Sequence, residues 1–223
     1  YLVIVAGSVV RMSGSGMGCP DWPKCFGHLI PPTEMDQVIW KPNADFHKGR
    51  IIVHNEELLV AKEDIVTQDQ INLDNWEAYT RHDYAIFNPT HTWIEYINRL
   101  IGALSGLPML GILFLSLIRI RKSFLNFILA FLALALLGFE AWLGKYVVDG
   151  NLVPGHITMH MFGALAIVAV LMILLFRYSD RKEKKTINSW ILMPISIGLL
   201  LVQVYLGTQV REQVDLLEKA GEI

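Results

Sequence analysis

Thr92-Trp93-Ile94-Glu95-Tyr96-Ile97-Asn98-Arg99-Leu100-Ile101-Gly102 opens an apolar stretch that runs to about Ile118. An α-helix of roughly 20 residues crosses a bilayer, and this stretch is long enough to do so. It nevertheless carries a carboxylate, an amide and a guanidinium. Such groups are expensive in lipid and by default mark a functional site. At spacing i, i+3 and i+4, Glu95, Asn98 and Arg99 share one helical face. That face is expected to look into a helix bundle rather than at lipid.

Outward from this helix the same pattern repeats. Hydrophobic residues make up 53% of the 223 and are concentrated in blocks separated by short charged loops. That distribution excludes an ordinary soluble domain. The fold class is read as all-α, a polytopic membrane helical bundle with spans at residues 1–10, 94–118, 124–148, 157–176 and 190–210. The domain organisation is then a truncated first helix (1–10), an external segment (11–91), transmembrane helices two to four (92–176), a cytoplasmic loop (177–189), a fifth helix (190–210) and an external tail (211–223). The first span is half-length and the chain begins with Tyr1, so a fragment trimmed at its N-terminus is expected.

The net charge of −2 says little, and no nucleic-acid partner is expected. The distribution of basic residues says more, because Lys and Arg in short loops are retained on the cytoplasmic side. Arg119, Arg121 and Lys122 fill one loop, and Arg177, Arg181, Lys182, Lys184 and Lys185 fill another. The segment 11–91, the loop 149–155 and the tail after Arg211 are therefore predicted to lie outside. Cys19 and Cys25, the two cysteines of the chain, fall on that oxidising side and are close enough to close a small loop. A structural disulfide is the main reading and a labile, exchange-active bond the other. The spacing suits neither a Cys-x-x-Cys redox pair nor, with two cysteines, a structural zinc site.

The external segment is too long for a mere connector. Glycines and prolines at 13–32 predict a turn-rich knot, and 51–66 and 72–79 read as short amphipathic helices forming a lid on the membrane face. His28, His47, His54 and His82 share no helical spacing and read as loop histidines rather than a metal site.

Ala6-Gly7-Ser8-Val9-Val10-Arg11 reappears as Leu206-Gly207-Thr208-Gln209-Val210-Arg211, and Leu143-Gly144-Lys145-Tyr146-Val147 is a weaker echo. Both strong copies end spans that run outward, so the repeat is parallel. Four spans per copy predict eight in the intact protein. The chain then holds one four-helix unit and the first helix of a second.

Glu95, Asn98 and Arg99 on the second span, Glu140 near the outer end of the third, and His156 and His160 at the start of the fourth are all predicted at one depth. That points to a cavity between helices. His156 and His160 are four apart and could chelate a metal, but no second ligand pair is visible. A histidine facing inward from an apolar helix is also how a heme iron is carried. A hydrogen-bonded bundle histidine, an interfacial His156, and Glu95 as merely the ion-pair partner of Arg99 are the structural alternatives. Arg99 could instead steer a propionate, and Arg11 and Arg211 read either as propionate partners or as snorkelling interfacial residues.

Arg11-Met12-Ser13-Gly14-Ser15-Gly16-Met17-Gly18-Cys19-Pro20-Asp21-Trp22-Pro23, the Glu95-x-x-Asn98-Arg99-Leu100-x-Gly102 run, Trp142-Leu143-Gly144 and His160 together resemble the heme A synthase family of cytochrome oxidase assembly. The resemblance covers nearly the whole chain apart from much of the external insert. It implies an eight-span, two-half membrane oxidoreductase that converts heme O to heme A by oxidising a ring methyl to a formyl group. Heme O is the substrate, and a cofactor heme B is held by histidines mainly in the other half. Implied partners are membrane lipid, heme O synthase, cytochrome oxidase assembly proteins and an electron acceptor.

Family members carry Glu-x-x-His-Arg on the second span and a further histidine on the fourth. Here these positions are Glu95, Asn98, Arg99 and His160, so an amide stands where the family has an iron ligand. In the preferred account His160 alone binds the substrate iron while Glu95 acts beside the methyl group as a base or electrostatic stabiliser. In the other, His91 pairs with His156 nearer the surface. A non-catalytic heme carrier, a diheme electron-transfer subunit and a transporter are the rival classes. Glu95 argues against electron transfer, and the scarcity of helix breaks apart from Pro108 argues against transport.

Overall fold

The structure is a computed structural model that describes residues 1–80, 87–149, 155–179 and 187–220, the side chains of 149, 187–191, 211, 215 and 218–220 excepted. His82, the basic residues 181–185, the side chain of Arg211 and the loop 150–154 lie outside the described residues. The chain is mostly helical. Five α-helices are α1 (Leu2–Met12), α2 (Pro89–Ile118), α3 (Phe124–Asp149), α4 (His156–Tyr178) and α5 (Ile187–Ala220), and five short strands lie between α1 and α2: β1 (Asp45–Phe46), β2 (Ile51–His54), β3 (Glu57–Ala61), β4 (Ile65–Val66) and β5 (Trp76–Ala78).

Among the described residues four helices are long and apolar enough to cross a membrane: Pro89–Ile118, Phe124–Val148, His156–Tyr178 and Leu192–Val214, with mean hydropathies of 2.1, 2.1, 2.5 and 1.5. Their apolar side chains are largely exposed, among them Leu107, Phe114, Leu115 and Phe131. Lipid suits such a surface and water does not. The helix boundaries differ most from the sequence expectation at two points. α2 begins at Pro89, because Asn88 Oδ1 accepts from the backbone N–H groups of Thr90 (3.0 Å) and His91 (3.3 Å). Asn88 is the N-cap, and Pro89 sits at the first helical position, where its missing donor costs nothing. α5 continues through the expected tail to Ala220.

The chain divides into two compact units, 1–108 with 141–152 and 109–140 with 153–223. In the first unit, the connection from α1 to α2 corrects the expected lid of amphipathic helices. Residues 51–61 form an antiparallel hairpin, β2 on β3, with Ile51 opposite Val60 and His54 opposite Glu57, and β5 adds to the far side of β3. The reason is local. Ile51, Ile52 and Val53 are β-branched, which favours strand over helix. Asn55 and Glu56 at the turn take φ of 49° and 63°, the left-handed pair of a type I′ hairpin turn. The second expected helix, 72–79, is a single 3₁₀ turn at Leu73–Asn75 followed by β5.

Both faces of this hairpin are covered. Ile51 packs with Cys19, Cys25, Phe26, Val38 and Leu58, whereas Ile52 packs with Phe46, Leu59, Ala61, Ile65 and Trp76. Each fully buried side chain of this size is worth about 1.5–3 kcal/mol relative to exposure. The disulfide itself belongs to the first of these cores.

In the second unit, Met109, Ala133 and Val170 form the packed centre of α2, α3 and α4, with Ile167 and Leu171 against them. At one end of these helices Arg177 Nε donates to Asn126 Oδ1 at 2.5 Å, so this arginine is tied to the start of α3. α4 and α5 meet through Thr158 and Thr208, whose hydroxyl oxygens are 2.9 Å apart.

Candidate functional site

In the first unit the site begins with a knot of backbone built on the opening turns of α2. Cys19 and Cys25 form a disulfide and are 0% and 1% exposed. The chain leaves this ring through Phe26 and Gly27, at φ of 54° and 74°, and Cys25 and His28 then exchange backbone hydrogen bonds of 2.9 and 3.0 Å across the turn. Glycine is needed at position 27 twice over, for the positive φ and because a Cβ there would fall 2.4 Å from the Gly49 carbonyl oxygen.

The knot is fastened to α2 by the residues the sequence singles out. The backbone N–H of Cys19 donates to Glu95 Oε2 at 2.8 Å, and Thr92 Oγ1 donates to the Gly18 carbonyl at 2.8 Å. Arg99 pairs with Glu95 Oε1 and donates through Nη1 to the carbonyls of Asp21 (2.7 Å) and Lys24 (3.0 Å). Glu95 is 4% exposed and Thr92 0%. A buried carboxylate with a guanidinium and an N–H for partners meets the requirement that buried charge be paired. Gly18 lies so close that a Cβ there would stand 2.5 Å from the His91 carbonyl carbon. Asn98, one turn beyond Glu95, faces α1: a Cβ at Gly7 would be 4.0 Å from Asn98 Oδ1.

Charges outside the membrane-spanning helices are shifted by the same packing. Burial raises the Asp21 carboxyl, against the pull of the Gly27 N–H and of Arg99. Burial, then Arg50, lowers His28 to about 4. Arg50 Nη1 is 2.8 Å from His28 Nδ1, a contact that a neutral imidazole accepts and an imidazolium repels. His47 is exposed and 3.5 Å from Asp64, and His54 lies in β2. Among the described residues no three His, Cys, Asp or Glu side chains gather as a metal site.

In the second unit the counterpart is a pair. His160 on α4 places Nδ1 2.6 Å from Glu140 Oε2 on α3, with side-chain exposures of 45% and 8%. Gly163, on the next turn of α4, makes room for the carboxylate, since a Cβ there would stand 1.8 Å from Glu140 Oε1. His156 is the first residue of α4 and is partly exposed. The structure thus brings Glu95, Arg99 and the Cys19–Cys25 ring together in one unit, and Glu140 and His160 in the other. Sequence reasoning paired Glu95 with Arg99 but missed that both hold the disulfide loop. The pairing of Glu140 with His160 was also missed, and a signal for it was present in Glu140 as the one carboxylate between Phe124 and Val148, at the same expected depth as His160.

The profile of the cytochrome oxidase assembly protein family, COX15-CtaA, matches residues 1–48 and 63–220. The unmatched stretch takes in the β2–β3 hairpin. Heme A synthase of Shewanella oneidensis is 27% identical over 210 residues, which cover 92% of this chain and 52% of that protein. Heme A synthase of Rickettsia prowazekii is 23% identical over 223 residues, covering 94% of this chain and 57% of that one. The chain thus spans about half the length of the curated relatives it matches. No solved structure matches it. With the profile matching nearly all of the chain and four helices fit to span a bilayer, the chain is an integral membrane protein that belongs to the COX15-CtaA family of cytochrome oxidase assembly proteins.

Proposed function

We propose that this chain takes part in making heme A for cytochrome oxidase as one half of a heme A synthase, acting on heme O. The observation that carries the reading is the family match over residues 1–48 and 63–220, which includes the Cys19–Trp22 motif and the Glu95-x-x-Asn98-Arg99 run. Oxidising a ring methyl to a formyl group replaces two C–H bonds with a C=O bond; with water as the source of the oxygen, four electrons and four protons are released, so an electron acceptor is needed as a partner. The resident heme B is assigned to the other half of the eight-span architecture, and the Cys19–Cys25 segment to the outer face of the membrane.

The residues present suit a heme iron. His160 has Nδ1 against a buried carboxylate, and its ring is partly open, so Nε2 is the nitrogen left for a metal. His160 is therefore the proposed ligand of the substrate iron, with His156 the weaker candidate at the helix start. Asn98 contributes an amide, a poor iron ligand, at the position where the family has a second histidine.

Glu95 is the proposed catalytic group, acting as a base or electrostatic stabiliser in the oxidation of the methyl group. Arg99 holds the loop that flanks it. A heme carrier is the second reading, and one observation favours it: both Glu95 oxygens are engaged, by Cys19 and by Arg99. The test is heme extraction and chromatography from membranes making the full-length protein with a heme O source. Heme A from wild type, and none from Glu95→Gln with the disulfide loop intact, supports the enzyme. Undiminished heme A from Glu95→Gln removes the catalytic role, and bound heme O that is never converted by wild type favours the carrier.

A further inference from the structure

We propose that Glu140 is the positioning residue of the heme site, holding the Nδ1 side of His160 so that Nε2 is presented to iron. The inference rests on the reading of His160 as a heme ligand. Glu140 is the sole acidic residue between Phe124 and Val148, in a helix otherwise suited to lipid. Its carboxylate is buried, and His160 Nδ1 lies 2.6 Å from Oε2. Among the described residues Glu140 Oε1, Glu140 Oε2 and His160 Nδ1 are all buried without a well-aligned hydrogen bond, so the 2.6 Å ion-pair contact is what each side chain has for a partner. A carboxylate is retained in such a place only with a partner, and here that partner is the imidazole.

The neighbouring helix is shaped for the contact. Gly163 is three residues after His160, and any side chain there would overlap Glu140 Oε1, 1.8 Å from the Cβ position. The notch at Gly163 and the imidazole at His160 therefore receive one carboxylate between them. An Nδ1–H held by a carboxylate fixes the tautomer, orients the ring and makes Nε2 a more basic donor, and loss of such a partner typically weakens metal affinity 10- to 100-fold. Added negative charge behind the ligand favours ferric over ferrous iron. Glu140 thus lowers the reduction potential of the heme that His160 binds.

The full-length protein purified with its bound heme tests this by redox titration and by resonance Raman spectroscopy of the ferrous iron–histidine stretch. The His160-dependent heme is identified as the signal lost in His160→Ala. In Glu140→Gln that heme should shift its ferric-to-ferrous affinity ratio about tenfold, a rise of about 59 mV for a one-electron couple, with a lower iron–histidine frequency. Glu140→Ala and Gly163→Ala should retain less of it, while the other heme stays bound and reports an intact fold. Wild-type potential and frequency in both Glu140 variants, with the signal still lost in His160→Ala, would overturn the positioning role alone. An unchanged spectrum in His160→Ala would overturn the ligand reading beneath it.

Discussion

The Cys19 backbone N–H donates to Glu95 Oε2 at 2.8 Å, so a carboxylate on the second turn of a membrane helix is the anchor of a disulfide ring 76 residues earlier in the chain. Arg99 closes the arrangement from one turn further along by pairing with Glu95 and gripping the Asp21 and Lys24 carbonyls. Glu95→Ala leaves a partly buried guanidinium without its counter-charge, held by the Asp21 and Lys24 carbonyls, and a buried N–H without an acceptor. Breaking a buried pair in this way costs about 3–5 kcal/mol. Glu95→Gln keeps an acceptor for Cys19 and should cost about 1–3 kcal/mol. Thermal unfolding in detergent, followed with the rate at which a thiol reagent labels Cys19 and Cys25 after mild reduction, separates the two variants. Equal stability of Glu95→Ala and wild type would show that the anchor is not needed.

Gly18→Ala probes the same junction by volume alone. Gly18 has an ordinary φ of −71°, so alanine strains nothing in the backbone itself. The added methyl would instead meet the His91 carbonyl carbon at 2.5 Å, its oxygen at 2.6 Å and the Thr92 nitrogen at 2.7 Å. Those atoms belong to a helical turn and cannot swing aside as a side chain can. Overpacking of this kind costs about 1–3 kcal/mol. The Thr92–Gly18 and Glu95–Cys19 hydrogen bonds should lengthen together, seen as faster amide hydrogen exchange at Cys19.

Four membrane helices were legible because long apolar runs admit few other readings. The hairpin at 51–61 was not, and the cause is that both its faces are buried. Ile51 faces the disulfide core and Ile52 the Trp76 core, so the strand shows a continuous apolar run rather than the alternation of a half-buried strand. The β-branched residues and the Asn55 turn were the readable signs. At the site, spacing along one helix revealed Glu95 and Arg99 as a pair. Their partners are backbone carbonyls and an N–H on a distant loop, groups that every residue has and that no sequence pattern distinguishes. The pairing of His160 with Glu140 depends on how α3 and α4 are turned against each other, which is a matter of packing and not of periodicity.

The hairpin turn offers a substitution that should stabilise. Glu56 holds φ of 63° without being glycine, whereas the second position of a type I′ turn is best filled by glycine after asparagine. The left-handed region costs a residue with a Cβ about 1–2 kcal/mol, part of which glycine returns through its greater freedom when unfolded. Glu56→Gly should therefore raise stability by up to about 1 kcal/mol, and Asn55→Val at the preceding left-handed position should lower it by more. Midpoints of thermal unfolding for the two variants should move in opposite directions. A fall in both would mean that the turn is not held in this form.

Acid should loosen the docking of the hairpin on the disulfide loop. His28 titrates near 4 when folded, below its ordinary 6.5, because it is partly buried and faces Arg50. Between these values the unfolded chain binds the proton and the folded chain does not, so stability rises with pH across the window. The contribution is fully present above about 6.5, is lost as pH falls toward 4, and changes no further below that. With His28 partly exposed, solvent screening reduces it to about 1–2 kcal/mol. Asp21, raised by burial, acts with the opposite sign where its own titration overlaps, since its folded form takes up a proton more readily. His28→Gln removes the first effect and leaves the second. Hydrogen-exchange protection of Ile51, whose N–H donates to the Phe26 carbonyl at 3.3 Å, should fall from pH 6.5 to 4 in wild type after correction for intrinsic exchange. In His28→Gln that fall should vanish, and a fall of the same size in both proteins would place the titrating group elsewhere.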